Sequence, residues 1–248
     1  MIRHFPPAGD VIREYFEKLL TSKFYKTLLN HQTYNFGLHQ IRILTDESHE
    51  GIPVPEGIHQ DGFDFVAIHC FQRCNIEGGV STILQKKEGS IMLETILPPN
   101  NIMICNDRNL WHNASPIHVK DKGTGYRDVC VVTFDKVEQQ DVLVETYNSV
   151  NSLLKQNSSA GDTPSISFQD FEDSAPGPLD EIHEYFSTPM PSPPQKVLDS
   201  FHGLEYDPHI KSDWNFRKRG FSHGVVTHKG VEWKSGSDFF QSKAVNGY

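Results

Sequence analysis

The run Gly57-Ile58-His59-Gln60-Asp61-Gly62-Phe63-Asp64-Phe65-Val66-Ala67-Ile68-His69-Cys70-Phe71 sets an H-x-D pair directly before an apolar, β-rich stretch. In extended chain, residues i and i+2 point to the same face. His59 and Asp61 therefore aim an imidazole and a carboxylate into one space. Glycines at 57 and 62 flank the pair and allow close backbone approach. Asp64 shares parity with neither member of the pair, so it reaches the same space only if the chain bends after Gly62.

Outward from this run, residues 36–135 break into short β-rich segments. They are Gly37–Leu44, Asp64–Phe71, Val80–Leu84, Ile91–Leu97, Ile102–Cys105 and Arg127–Phe134. Turn signals separate them: Glu77-Gly78-Gly79, Pro98-Pro99-Asn100-Asn101 and Lys122-Gly123-Thr124-Gly125. Many short strands at near-regular spacing predict a sandwich or barrel of the jelly-roll kind, and no stretch reads as a βαβ unit. Before them, residues 10–30 read as one amphipathic helix with Asp10 as N-cap and an apolar stripe of Ile12, Tyr15, Phe16, Leu19, Leu20 and Phe24. Beyond them, Gln139–Gln156 reads as a second helix. Residues 157–178 have linker composition, and 179–188 and 195–203 read as short helices. Residues 213–248 read as further strands and loops. The expected class is mainly β with flanking helices.

The chain has 248 residues, is 37% hydrophobic and carries a formal charge of −9. That balance argues against a nucleic-acid or anionic-membrane partner, which need a basic footprint. No run of about 18 apolar residues is present, and the expected location is the cytoplasm. Cys70, Cys74, Cys105 and Cys130 are read as buried free thiols.

A third ligand for the H-x-D pair is sought among 13 histidines. His112, in Leu110-Trp111-His112-Asn113, is preferred because Ile102–His112 reads as strand, turn, strand. His118 competes but reads as a loop residue, and His39 and His69 read as hydrogen-bonded core histidines. Two histidines and one carboxylate with open positions form the ligand set of non-haem Fe(II) oxygenases. Arg127 opens the strand that follows. An iron site drawing electrons from 2-oxoglutarate must hold a dicarboxylate, and a planar, permanently charged fork suits its far end.

Five segments in order carry a resemblance: Phe36-Gly37-Leu38-His39-Gln40-Ile41-Arg42, Glu56-Gly57-Ile58-His59-Gln60-Asp61, Gly78-Gly79, Trp111-His112-Asn113-Ala114-Ser115-Pro116 and Tyr126-Arg127-Asp128-Val129. Across residues 33–137 the chain resembles the bacterial 2-oxoglutarate/Fe(II) dioxygenases that include L-isoleucine 4-hydroxylase. The resemblance implies a double-stranded β-helix (jelly-roll, cupin-like) core. It also implies iron on His59, Asp61 and His112, 2-oxoglutarate anchored by Arg127, O2 as oxidant and hydroxylation of a free amino acid. Arg42, Asp64, Arg217 and Arg219 are candidate substrate contacts. The same chemistry on a carrier-bound or peptide substrate is the alternative within the enzyme class. A jelly-roll binding module or a cupin isomerase is the alternative outside it. A homodimer is left open.

One departure stands out. Segments that in that family precede the core have their look-alikes at the far end here, Arg217-Lys218-Arg219-Gly220-Phe221-Ser222 and Phe240-Gln241-Ser242-Lys243. The expectation is a circular permutation, with 1–148 as helix plus core, 149–178 as linker and 179–248 completing the same domain. Its rival is an unrelated accessory domain at 179–248.

Overall fold

A computed structural model describes residues 7–30, 32–137, 185–207 and 217–235. The expected helix over Gln139–Gln156, the 149–178 linker, the Phe240–Lys243 segment and both chain ends lie outside the described residues.

Strands β1 (Tyr34–Thr45), β2 (Phe65–Cys74), β3 (Ile76–Gly78), β4 (Val80–Leu84), β5 (Ile91–Ile96), β6 (Asn101–Asn106), β7 (Trp111–Ala114), β8 (Ile117–Val119) and β9 (Gly125–Lys136) form the core. Strands β10 (Tyr185–Pro189), β11 (Arg217–Thr227) and β12 (Gly230–Lys234) follow. The large sheet runs β10-β6-β2-β9-β1-β11-β12, a small sheet runs β5-β4-β7, and β3 pairs with β8. An antiparallel bridge between His59 and His112 adds the H-x-D segment to the β7 edge of the small sheet. The chain thus passes from large sheet to small and back: β1, the His59 segment, β2, β4–β5, β6, β7, β9. Two such alternations wound around one interior make a double-stranded β-helix, or jelly roll, as the spacing of strands and turns predicts.

The alternation within β1, β2 and β9 divides the large sheet into two faces. Val66, Cys70, Ile83, Met103 and Cys105 fill the space between the sheets, with Ile41, Ile43, Ile117 and Val129 as a second cluster. On the outer face, Phe36, Phe65, Phe71, Ile104, Val132 and Phe134 meet the helices. Each ring taken fully out of water there contributes on the order of 2–3 kcal/mol.

The helical stripe is where the sequence pattern predicts it, but it is broken. Helix α1 spans Asp10–Leu20 and α2 spans Lys23–Leu28. Ser22 restarts the chain as the α2 N-cap, its hydroxyl accepting from the Tyr25 N–H at 3.3 Å. Asp10 is the first helical residue rather than the cap, a place Gly9 holds, and its carboxylate pairs with Arg13 instead. Of the predicted helix over 179–188, residues 179–184 lie outside the described residues and 185–188 are corrected. Tyr185–Pro189 is an edge strand on β6, with Phe186 buried among the helix-facing rings. Aromatic and β-branched residues suit that half-buried edge, and a proline ends it. Residues 195–203 are helical as predicted: α3 (Gln195–Asp199) and a 3-10 turn (Ser200–Gly203).

All four cysteines are free, but Cys74 is exposed, because the end of β2 runs past the barrel rim. None of the described helices is long and apolar enough to cross a membrane.

His69 is the core histidine the sequence predicts. It is fully buried against Phe16, and its Nε2 pairs with the Tyr25 hydroxyl at 2.9 Å. Burial pushes its pKa down to about 3. A depressed histidine contributes stability above the unfolded value near 6.5 and loses it as pH falls toward the folded value. Between about pH 6.5 and 3, acid should therefore cost the wild type up to about 1.4 kcal/mol per pH unit more than it costs His69→Gln. Urea melts of both proteins across that window check the difference in slope.

Candidate metal centre

His59 and His112 sit side by side because their backbones exchange two hydrogen bonds, at 3.1 and 2.9 Å. Their ring centroids are 4.4 Å apart. Asp61 meets both, with Oδ1 3.5 Å from His59 Nε2 and Oδ2 3.5 Å from His112 Nε2. One donor atom from each of the three residues fits within 4.8 Å of the others. His59 Nδ1 lies 2.9 Å from the Gly57 carbonyl. A proton donated there leaves the Nε2 lone pair directed at the triad, the tautomer a metal ligand needs. The donor set therefore fits a divalent ion of the Fe(II) type.

Electrostatics point the same way. Burial alone would raise the Asp61 carboxyl, yet hydrogen bonds from His112 and His59 hold it well below the usual carboxylate range. Burial opposes charge on His112, and the carboxylates of Asp107 and Asp61 outweigh it, raising the ring to about 9. Two anionic side chains around the two imidazoles favour a cation between them.

Asp107 is a site residue that the sequence reading passes over. It is 1% exposed, and its Oδ1 lies 3.1 Å from His112 Nε2. Its two oxygens accept from the Asp61 and Phe63 N–H groups at 3.1 and 3.0 Å. Gln60 Nε2 donates to the Asp107 carbonyl at 2.9 Å, closing the brace. One carboxylate thus holds the H-x-D loop against the turn that carries His112. By fixing the Asp61 backbone, Asp107 acts one step out from the ligands, and Asp107→Asn is expected to weaken Fe(II) or Mn(II) affinity by about 10–100-fold in a metal titration. The sequence signal was an acid in the turn five residues before the ligand, which is too common to single out.

Arg127 is 2% exposed and lies on the interior face of β9 at the parity of Val129 and Val131, with its Nε unpaired. Arg217 and Arg219 lie on the interior side of β11, opposite Ile43 and Ile41. Arg219 Nη2 is 2.6 Å from His39 Nδ1 and 3.9 Å from Asp207 for its Nη1. Burial and the neighbouring Arg217 push Arg219 down to about 9, while Asp207, Asp61 and Glu56 pull it back up. Burial and Arg219 likewise hold His39 well below the ordinary histidine value, and Asp61 opposes them. The Asp61 carboxylate thus acts electrostatically on both His39 and Arg219. His39 is buried and hydrogen-bonded, as the sequence predicts, with Arg219 as its partner. Lys218 faces the other way, over the Tyr206 ring.

The structure does not bring Arg42 and Asp64 to the triad. Arg42 lies on the outer face of β1, one residue out of phase with Ile41 and Ile43, where Nε and Nη2 donate to Asp128 at 2.7 Å each. Asp64 is held at the rim, accepting from Arg108 Nε at 2.8 Å and the Lys136 N–H at 2.7 Å. Parity fixes the first exclusion and the Arg108 fork the second. His118 stays exposed on β8 near Glu50.

Residues 1–133 match the 2OG-Fe dioxygenase family, more than half of the chain. The chain belongs to that family, whose name carries Fe(II), 2-oxoglutarate and O2 as metal and cosubstrates. It is 23% identical over 154 residues to a 3(1)-hydroxy-L-isoleucine 4-dioxygenase of Pantoea ananatis (strain AJ13355), covering 54% of this chain and 62% of that one. It thus spans less than two thirds of that relative's length. Among solved structures it is similar to IDO from Bacillus thuringiensis, with TM-score 0.39, 22% identity and coverage of 43% and 48% of the two chains. A bsmA homolog from Methylobium petroleophilum PM1 gives TM-score 0.38, 28% identity and 41% coverage of each chain.

Proposed function

We propose that the protein is an Fe(II)- and 2-oxoglutarate-dependent dioxygenase that hydroxylates a free L-amino acid or a close derivative. The observation that carries the reading is the convergence of His59, Asp61 and His112 donors in an interior that also holds a buried, unpaired Arg127 Nε. The overall reaction consumes O2, 2-oxoglutarate and a C–H group, and yields succinate, CO2 and the alcohol. Bound to the three donors, Fe(II) supplies the redox chemistry.

The remaining work belongs to side chains. His59 and His112 would hold the metal through ring nitrogens. Asp61 balances charge. Arg127 holds the far carboxylate of the keto acid, which fixes how its 2-oxo acid end meets the metal. Arg219 and Arg217 bring positive charge to the interior side of β11, which would steer an amino acid's carboxylate. The curated relative named for an isoleucine derivative supports a free amino acid as substrate class.

Arg127→Met is expected to raise the 2-oxoglutarate requirement by about 10–100-fold, the worth of a lost charge-assisted pair. The direct test is anaerobic incubation with Fe(II), 2-oxoglutarate and an amino-acid panel, followed by oxygen. A product heavier by one oxygen atom, formed with one succinate, is the expected result. No succinate with any amino acid rejects the reading.

The permuted order is part of the same reading. It is supported by β11 pairing along β1 and by the Ala8 N–H bonding the Phe221 carbonyl at 3.2 Å. A chain rebuilt with residues 179–248 ahead of Met1 should fold and bind metal as the present one does. Failure of that chain to fold would count against the permutation.

A further inference from the structure

We propose that Arg73 and Arg127 form a two-guanidinium clamp on the remote carboxylate of the keto acid, and that Arg73 makes the site select a dicarboxylate over a monocarboxylic 2-oxo acid. The proposal rests on the reading of the site above.

Strict alternation along β2 would send Arg73 outward with His69 and Phe71. A register shift between Cys70 and Gln72 prevents this, and beyond it Arg73 lies directly opposite Arg127 on β9. Bulges re-aim side chains in this way beside functional sites. The Gly78-Gly79 turn completes the arrangement. Both glycines are left-handed, at φ 74° and 65°. A Cβ on Gly79 would lie 3.1 Å from Arg73 Nη1 and 3.7 Å from Arg127 Cδ, so both side chains crowd one point. Arg73 Nη2 donates to the Gly78 carbonyl at 2.5 Å, which orients the guanidinium.

Like charges directly opposite on neighbouring strands repel. Among the groups that act on Arg73 no carboxylate appears. The charged or titratable groups acting on Arg73 are Arg127, which disfavours its charge, and the Cys70 thiol. Arg73 Nη1 and Arg127 Nε are both buried without a hydrogen-bond partner. Two unmet donors from two cations, with Arg127 itself 2% exposed, call for an anion that accepts from both. The carboxylate at the far end of 2-oxoglutarate is such an anion. A 2-oxo acid without it would leave the two guanidiniums repelling, with Arg73 Nη1 and Arg127 Nε still unmet.

Arg73→Met and Arg73→Lys test the clamp in Mn(II)-loaded protein under nitrogen, with calorimetric titration of 2-oxoglutarate and of 2-oxobutyrate. Arg73→Met is expected to weaken 2-oxoglutarate by about 10–100-fold and to leave 2-oxobutyrate within about twofold, with Arg73→Lys in between. A second readout needs no metal. Relieved of the like-charge contact, metal-free Arg73→Met should melt no lower than wild type. It should also lose the rise in melting temperature that glutarate gives the wild type. An Arg73→Met protein that binds 2-oxoglutarate as wild type does overturns the clamp alone, as does one that loses both acids equally. A wild type that binds neither acid overturns the reading of the site and the clamp with it.

Discussion

Asp61→Ala is expected to lose the metal and, with it, succinate formation. Changing a partner one step removed from a metal typically costs about 10–100-fold in affinity, so removing a ligand should exceed that. Asp61 contacts both histidines, at 3.5 Å each, and supplies the negative charge of the donor set. Its loss leaves two imidazole nitrogens and the Asp107 carboxylate, which is committed to the Asp61 and Phe63 N–H groups. The fold should survive, because the backbone bonds between His59 and His112 do not involve the carboxylate. Inductively coupled plasma analysis of protein purified with Fe(II), with circular dichroism as control, reads both. An Asp61→Ala protein that keeps stoichiometric iron and full 2-oxoglutarate turnover would reject the ligand assignment.

The second large effect is on stability, at the outer face of the large sheet. Asp128 is fully buried and accepts two hydrogen bonds from Arg42, itself 4% exposed. His202 Nδ1 lies 2.6 Å from Arg42 Nη1, and the Tyr126 ring lies 4.1 Å from the guanidinium carbon. Breaking a buried pair from one side strands the other charge. Asp128→Ala should thus cost about 3–5 kcal/mol, or roughly 10 °C in melting temperature for a chain of this size. Arg42→Ala should destabilise for the same reason. Neither change touches the interior, so kcat/KM for the folded fraction should stay near the wild-type value. A substrate-binding Arg42 would give the opposite result, with a changed KM and an unchanged melt.

Those two residues show where the sequence runs out. Arg42 and Arg219 are both arginines on strands flanking the core, and nothing in composition separates them. The register of β1 against β9 and β11 does. Ile41 faces Val129 and Arg219 inside, while Arg42 faces Asp128 and Lys218 outside. A slip of one residue would exchange their roles. Arg73 is the sharper case, because a single bulged position inverts its side, and no local pattern announces it. Asp64 turned on the chance that Arg108 sits across the rim to hold it.

Short alternating strands punctuated by glycine, proline and asparagine turns make the jelly-roll class legible in the chain alone. The iron triad candidates are equally legible, because i, i+2 parity is a local property of extended chain and the strand-turn-strand pattern before His112 is local too. The tertiary structure alone decided which arginines enter the interior, that Asp107 braces the triad, and that residues beyond 185 extend the same sheet at both edges. The physical reason is that strand pairing joins residues far apart in the chain. Its register is set by the summed packing of both sheet faces, and no single stretch of sequence contains that sum.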